Sequence, residues 1–173
     1  MKASEPYQGL SAGRDVGLGP FRSGRTAPSP PMLLVEDDES HRFRIKQTLE
    51  HSGIKNPVHM VEDGKKAVDY LSGAGEFGDR ESYPLPAIVF LDLKPRLVSG
   101  FDVLAWMRQR AELTATIVVV LTASEDPQEL SRAYRLGADT LLVKAPTAEQ
   151  IAEQLIEMAA VFNWYWLGVE SAL

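Results

Sequence analysis

From residue 32 onward, short apolar runs alternate with longer stretches in which apolar residues recur every three or four positions. Apolar runs of four to six residues bounded by turn residues predict buried strands, and the longer period predicts amphipathic helices. The predicted strands are residues 32–36, 58–61, 87–91, 116–121 and 140–143. Because strands and helices alternate, we predict an α/β fold: a doubly wound, five-stranded parallel sheet covered by five helices.

The helices between these strands are marked by start and stop residues. They are predicted at residues 39–51, from Asp63-Gly64 to Ser72-Gly73, at 100–110, at 127–136 and after Pro146-Thr147. In the first helix, we expect Phe43, Ile45 and Leu49 to face the core. Gly137 follows the fourth helix, where a glycine readily adopts the left-handed conformation that ends many helices.

Two segments outside this pattern have a different composition. Residues 1–31 are rich in glycine and proline and contain little that can pack, so we predict a disordered leader. A basic anchoring tail is the alternative. The connection at residues 74–86 is longer than typical loops, and we expect it to be exposed at the surface.

The end of the chain, residues 164–173, concentrates aromatic side chains at Trp164, Tyr165 and Trp166. One interpretation is that these rings fold back and cover the core. The other is a homodimer or partner contact, since aromatic residues are enriched at interfaces.

Composition excludes several classes of function. The 173 residues carry 18 basic and 24 acidic side chains, giving a formal net charge of -6. An acidic chain argues against generic nucleic-acid binding, which usually depends on a basic surface. The chain has no cysteine, which excludes disulfide and thiol chemistry and is compatible with the cytoplasm. No run of 18 apolar residues exists, so we predict no membrane span.

Polar side chains follow four of the five predicted strands. Asp92 closes the third strand, Glu36 and Asp37 come after the apolar run of the first, Thr122 follows the fourth and Lys144 follows the fifth. Each residue alone has an ordinary structural explanation, such as a helix cap, a strand-end hydroxyl or a surface charge. Their joint placement is more informative, because ligands of parallel α/β sheets bind at the carboxyl ends of the strands.

These residue types suit a carboxylate that accepts a phosphoryl group. The incoming group is strongly anionic, and its developing charge must be neutralised. Mg²⁺ takes oxygen ligands and keeps several waters, so the acids Glu36, Asp37 and Asp92 with a backbone carbonyl at Lys94 would suffice to hold it. The lysine amine and the threonine hydroxyl can then contact phosphoryl oxygens.

The ordered set of segments resembles the receiver domain of response regulators in bacterial two-component signalling, over residues 32–163. The matching segments are Leu33-Leu34-Val35-Glu36-Asp37-Asp38, Glu62-Asp63-Gly64, Phe90-Leu91-Asp92-Leu93-Lys94, Ser99-Gly100, Val120-Leu121-Thr122-Ala123-Ser124, Gly137-Ala138-Asp139 and Val143-Lys144. The long connection and the aromatic end resemble the single-domain regulators that work with bacterial phytochrome kinases.

The resemblance implies a flavodoxin-like strand order, 2-1-3-4-5, and a role for each site residue. Asp92 becomes the phosphoacceptor, and the metal ligands become Glu36, Asp37, Asp92 and the carbonyl of Lys94. The residues of the phosphate-binding and switch positions are Thr122, Ala123, Lys144 and Leu141. Asp38 falls one position past the usual acidic pair, so we expect it to cap the first helix.

The resemblance also implies a phosphoacceptor rather than an enzyme with an external substrate. Its phosphodonor would be a sensor histidine kinase, and the likeness to the phytochrome-associated regulators points to a phytochrome-like one. Mg²⁺ would be required. Because the sequence ends at residue 173 without a further domain, we expect the output to be phosphotransfer or contact with a downstream protein.

Three departures from the family pattern leave an alternative open. The proline expected four residues after the acceptor is Arg96, with Pro95 before it; Ala145 separates Lys144 from the next proline; and the aromatic switch position is Leu141. These changes favour a pseudo-receiver, an adaptor that works without phosphorylation. The retained polar sites favour a phosphorylated receiver.

A phosphatase or phosphotransferase similar to haloacid dehalogenases is a third alternative. Such enzymes use an Asp-x-Asp pattern at the strand end. The segment Asp92-Leu93-Lys94 lacks the second acid, which argues against this class.

Overall fold

The computed structural model describes residues 30–51, 56–93, 98–124 and 126–143, together with Glu153 and Glu157. Five strands form one parallel sheet in the order β2-β1-β3-β4-β5, which confirms the predicted flavodoxin-like fold. The strands are β1 (Met32–Val35), β2 (Val58–Val61), β3 (Ile88–Asp92), β4 (Ile117–Thr122) and β5 (Thr140–Val143). Both β3 and β4 end one residue later than predicted, so Asp92 and Thr122 belong to the strands themselves.

Four α-helices lie among the described residues, where the pattern predicts them. They are α1 (Glu39–His51), α2 (Gly64–Ser72), α3 (Gly100–Arg108) and α4 (Pro127–Arg135), with short 3-10 helices at Gly75–Gly78 and Ala111–Leu113. Side chains cap α2, α3 and α4: Asp63, Ser99 and Asp126 accept hydrogen bonds from backbone N–H groups of the first turn. The predicted fifth helix lies outside the described residues, apart from Glu153 and Glu157, which are helical.

The sheet is apolar on both faces, as expected of a parallel sheet covered by helices. Alternate residues of β3 enter different clusters: Ile88 and Phe90 pack on the side of α1, whereas Val89 and Leu91 pack on the side of α2 and α3. Burying each such side chain contributes about 1.5–3 kcal/mol. The core therefore fixes β3 from both sides.

On α1, the expectation for Phe43 is wrong, whereas Ile45 and Leu49 are buried as predicted. Phe43 is 58% exposed. Each residue of an α-helix advances by about 100° around the helix axis, so two residues advance by about 200°. Phe43 and Ile45, which are two positions apart, therefore face nearly opposite directions. The buried Ile45 and Leu49 fix the inward side, and Phe43 therefore faces solvent.

The connection between α2 and β3 is more structured than predicted. It contains a 3-10 helix whose Phe77 is buried, and Phe77 packs against Tyr70 and Tyr83 with ring centroids 5.3 and 5.2 Å apart. The Tyr70 hydroxyl donates to the Pro84 carbonyl at 2.9 Å. Burial raises the pKa of Tyr70 to about 12. The expectation of a wholly exposed connection is therefore wrong for its aromatic residues.

Arg80, in the same connection, closes the end of α2. Its guanidinium donates to the carbonyls of Tyr70 and Leu71 at 2.8 Å, and to that of Tyr83 at 3.1 Å. The last carbonyls of a helix have no partner within the helix. Arg80 provides a hydrogen-bond donor for two of these carbonyls, those of Tyr70 and Leu71.

At the amino edge of the sheet, Arg108 joins α3 to the segments that lead into β4 and β5. Its guanidinium donates to the carbonyls of Gly137 and Thr116 at 2.9 and 3.0 Å, and to the Asp139 carboxylate at 2.7 Å. The same carboxylate oxygen accepts a hydrogen bond from Val118 N at 2.8 Å. This network ties three elements together.

The ends of the chain are described only in part. Pro30 and Pro31, the last residues of the predicted leader, pair with the domain: the Pro30 carbonyl accepts from the Asn56 side chain at 2.8 Å, and that of Pro31 from Ala87 N at 2.9 Å. Residues 1–29 and the predicted aromatic tail, with Trp164, Tyr165 and Trp166, lie outside the described residues. Among the residues that are described, none of the helices has the length and apolar character needed to cross a bilayer.

Candidate metal site

The strand register brings the ends of β1 and β3 side by side. Val35 is aligned with Leu91, so the next residues, Glu36 and Asp92, lie at the same level of the sheet. Both are buried, with 1% and 4% of their surface exposed, and Asp37 is partly buried. The predicted acids of the two strands therefore occupy one place at the carboxyl edge.

The three carboxylates of this edge form a cluster. One ligand oxygen from each of Glu36, Asp37 and Asp92 lies within 4.8 Å of the other two. An octahedral Mg²⁺ ion with ligands at about 2.1 Å brings its oxygens to roughly 3–4 Å from one another. The donor set consists of hard carboxylate oxygens, which suit Mg²⁺ or Mn²⁺ rather than a soft metal. These residues therefore fit a hard divalent cation.

The turn from β1 into α1 holds the first two acids. Asp38 caps α1, as expected, because its side chain accepts from His41 N at 2.8 Å. That hydrogen bond is the main reason why the pKa of Asp38 lies below its ordinary value. Asp38 N donates to the Glu36 carboxylate at 3.3 Å, and Arg42 donates to the Glu36 carbonyl at 2.6 Å.

The backbone of Asp92 is packed against the start of α3. A Cβ atom on Gly100 would lie 2.2 Å from the Asp92 carbonyl oxygen and 2.8 Å from Leu93 Cα. Only glycine allows so close an approach without a shift of the backbone. Gly100 therefore fixes the position of the central acid in relation to α3.

Thr122 and Ala123 lie at the end of the neighbouring strand. Asp92 is aligned with Leu121 of β4, so Thr122 lies one residue beyond the acid. Its hydroxyl is buried and accepts a hydrogen bond from Ser124 N at 2.9 Å, and Ala123 is exposed. The hydroxyl thus orients the loop after β4, at the same edge as the carboxylate cluster.

Leu141, at the predicted switch position, is aligned with Val120 in the sheet. Its side chain is partly buried and packs against the hydrophobic cluster on the side of α2 and α3. It has the environment of a core residue. The other predicted site residues lie outside the described residues; they are Lys94, Pro95, Arg96, Lys144 and Ala145.

Sequence reasoning missed two contributors to the site. Arg42 had no assigned role, although a long basic side chain one turn into a helix can reach back to the preceding strand end. The sequence pattern puts Gly100 at the start of a helix, whereas its contact with the Asp92 carbonyl depends on how α3 packs. The sequence shows that an arginine and a glycine stand at these positions, but only the tertiary structure shows what they contact.

The fold and the site together define a doubly wound α/β domain with a carboxylate cluster at its carboxyl edge. The family model described as "Response regulator receiver domain" matches residues 32–156. The chain therefore belongs to the response regulator receiver family, as the motifs indicated. Receiver domains bind divalent metal ions, act with histidine kinases and downstream partners in two-component systems, and are generally not enzymes.

Two relatives cover most of the chain. "Probable methanogenesis regulatory protein FilR2" of Methanothrix harundinacea is 36% identical over 79% of this chain and 83% of its own length. "Response regulator Rcp1" of Synechocystis is 29% identical over 84% of this chain and 94% of its own length. The similarity therefore covers most of the length of these proteins.

Two solved structures extend the comparison to three dimensions. The Mn²⁺-bound form of Rcp1 is 26% identical, with a TM-score of 0.67 over 83% of this chain and 97% of that chain. The phosphorylated cyanobacterial phytochrome response regulator RcpA is 25% identical, with a TM-score of 0.69 over 82% and 96%. Phytochrome-associated regulators are thus among its homologues, which agrees with the predicted resemblance.

Proposed function

We propose that this response regulator accepts a phosphoryl group on Asp92 from a sensor histidine kinase, with Mg²⁺ held by Glu36, Asp37, Asp92 and the Lys94 carbonyl. The observation that carries the proposal is the carboxylate cluster, whose ligand oxygens lie within 4.8 Å of one another. A buried carboxylate on a central strand beside two further acids is the arrangement that metal-assisted phosphoryl transfer needs.

In the proposed reaction, a carboxylate oxygen of Asp92 attacks the phosphorus of the donor. The bond to the donor histidine breaks, its electron pair returns to the imidazole, and an acyl phosphate forms on Asp92. A bound divalent ion would neutralise charge on the phosphoryl oxygens. We assign Lys144 to a second oxygen, and Thr122 with the Ala123 backbone to the phosphate-binding loop.

The phosphoryl group would act as a local electrostatic switch. It adds about −1.5 to −2 units of charge and three strong acceptor oxygens. Thr122 and Lys144 are the donors that we expect to respond, and the surface around β5 would then change its preferred conformation. Since Leu141 cannot couple to Thr122 as an aromatic ring would, we expect the response to differ from that of regulators with an aromatic residue there.

The comparisons favour a phytochrome-like kinase as phosphodonor, because RcpA is described as a phytochrome response regulator. We further propose that signalling proceeds through contact with a downstream protein in the cytoplasm. Trp164, Tyr165 and Trp166 are the candidates for a homodimer or partner contact. Neither nucleic acid nor a membrane surface is part of the proposal.

The second candidate is a phosphorylation-independent adaptor. It is favoured by Leu141 at the aromatic switch position, where the partly buried side chain packs against the hydrophobic core, and by the residues Arg96 and Ala145 at two family-typical proline positions. An adaptor would keep the fold and the partner surface but would not need the acyl phosphate.

One experiment separates the two candidates. The protein is incubated with MgCl₂ and acetyl phosphate, and its intact mass is measured. We expect wild-type protein to gain one phosphoryl group, and Asp92→Asn, or wild-type protein with a chelator, to gain none, because nucleophile or metal is missing. If neither acetyl phosphate nor a histidine kinase labels the wild-type protein, the adaptor is the better description.

A further inference from the structure

Arg42 links α1 to the strand end that carries the acidic pair. Its Nη1 atom donates to the Glu36 carbonyl at 2.6 Å. Its own backbone N–H donates to the Asp38 carbonyl at 2.9 Å, as part of the first turn of α1. Arg42 therefore connects both sides of the turn in which Glu36 and Asp37 lie.

The carbonyl that Arg42 contacts lies just beyond the regular strand. Glu36 N still donates to Val61 of β2 at 3.2 Å, but β1 ends at Val35. A backbone carbonyl in a buried position needs a donor, and a charged guanidinium makes a shorter and stronger hydrogen bond than a neutral group. The Glu36 carbonyl and the Asp37 N–H belong to one planar peptide group. Both Cα atoms lie in that plane, so fixing it restrains the positions from which the two carboxylates extend.

Arg42 is also a positive charge among carboxylates. The pKa of Glu62, which follows β2, lies below its ordinary value chiefly because Lys66 donates a hydrogen bond to it, and the charge of Arg42 contributes to the same shift. A positive charge at this edge repels a divalent cation. If charge were its main effect, removal of Arg42 would strengthen metal binding.

We propose that Arg42 is a positioning residue for the divalent cation, and that it acts by orienting the peptide group between Glu36 and Asp37. This inference rests on the proposed metal-dependent function. Loss of residues that support metal ligands typically weakens metal binding 10–100-fold. Loss of one screened surface charge changes it only a few-fold, and in the opposite direction. The orienting effect should therefore dominate.

The test measures Mg²⁺ binding to the full chain by isothermal titration calorimetry, with thermal unfolding of each metal-free protein measured in parallel. We expect Arg42→Met to bind Mg²⁺ about tenfold more weakly than wild type. Arg42→Lys keeps the charge but loses the planar fork, and should fall between the two. Arg44→Met is the matched control, because it removes the same charge from an exposed position of the same helix, and its affinity should stay within about twofold of wild type.

The outcomes separate this inference from the proposed function. If wild-type protein does not bind Mg²⁺, the proposed function fails, and the role of Arg42 fails with it. If wild type binds and Arg42→Met binds equally well or more tightly, only the role of Arg42 is wrong. Should Arg42→Met not fold, Arg42→Lys decides: weaker binding at an unchanged unfolding temperature supports the inference, and wild-type affinity contradicts it. A difference that persists in about 0.5 M salt supports orientation, since salt would remove a purely electrostatic effect.

Discussion

The two edges of the sheet arrange their polar groups in opposite ways. At the amino edge, Arg108 and Asp139 form an ion pair. Arg108 also donates hydrogen bonds to backbone carbonyls, and Asp139 accepts one from a backbone N–H. At the carboxyl edge, Glu36, Asp37 and Asp92 bring like charges together. The first arrangement stabilises the folded state by itself. The second gains from a cation, because clustered carboxylates repel one another until the charge is neutralised.

The two edges therefore have different roles: the amino edge stabilises the fold, and the carboxyl edge provides the binding site. Charged groups that are paired and bonded to the backbone hold helices in place, whereas charged groups of one sign provide affinity for a ligand of the other sign. Substitutions at the amino edge should therefore change the free energy of unfolding and leave metal binding intact. Substitutions that reach the carboxyl edge should change both.

The largest effect is expected at Arg108. Arg108→Met removes every guanidinium donor while keeping an apolar stem, and leaves the Asp139 carboxylate and the carbonyls of Leu113, Thr116 and Gly137 without this partner. Measured by urea denaturation, the free energy of unfolding should fall by about 3 kcal/mol, about 1 kcal/mol for each lost hydrogen bond to a carbonyl, and the Mg²⁺ affinity should be unchanged. The matched control is Arg135→Met on exposed α4, expected within about 0.5 kcal/mol. Equal losses in both variants, or a lower Mg²⁺ affinity in Arg108→Met, would contradict the separation of the two edges.

A smaller effect is expected at Gly100, where a substitution should lower both the free energy of unfolding and the Mg²⁺ affinity. The added methyl of Gly100→Ala would meet the Asp92 carbonyl, and relief of such overpacking costs about 2 kcal/mol. Because Asp92 must shift, Mg²⁺ binding measured by calorimetry should weaken as well. Gly78→Ala is the control, since a Cβ there meets only an ordinary contact at 3.5 Å. Unchanged Mg²⁺ affinity in Gly100→Ala would show that α3 does not hold the acid in place.

The smallest effect is expected where Tyr70 of α2 is hydrogen-bonded to the connection that leads to β3. Tyr70→Phe removes one hydrogen bond to Pro84, and should lower the free energy of unfolding by about 1 kcal/mol at neutral pH. The pKa of Tyr70 is raised to about 12 in the fold. Between pH 10 and 12, Tyr70 is deprotonated in the unfolded chain but still protonated in the folded protein. The free energy of unfolding of the wild-type protein therefore falls over this range, whereas Tyr70→Phe has no proton to lose at this position. Denaturation curves at several pH values should show the difference between the two proteins shrinking, and a constant difference would contradict the assignment.

Much of the fold could be predicted because β1, β3 and β4 are continuous apolar runs that are buried on both faces. Such runs have one sensible location, the interior of a parallel sheet. The expectation for Phe43 is wrong because a single aromatic residue on a largely polar helix is a weak signal, and Ile45 and Leu49, packed on the sheet, decide which side faces inward. The aromatic contacts of Phe77 were missed because a connection rich in glycine and charge has no periodicity to read.

The candidate site divides in the same way. Glu36, Asp37 and Asp92 could be brought together from sequence, because the carboxyl ends of neighbouring parallel strands meet at one edge. The contacts that hold them could not: the bond from Arg42 depends on how α1 returns across the sheet, and the contact of Gly100 on how closely α3 approaches. Sequence therefore indicates which groups meet, and tertiary packing decides how firmly they are held.

The place of Asp92 in the sheet order has a mechanical consequence. β3 is the middle strand and is hydrogen-bonded to β1 on one side and β4 on the other. Sliding the acid along its strand would break both ladders at once, so this part of the backbone is an immobile support. Movement that follows a chemical change at Asp92 should then occur in the neighbouring side chains and loops. The backbone of Asp92 stays in place while the rest of the carboxyl edge rearranges around it.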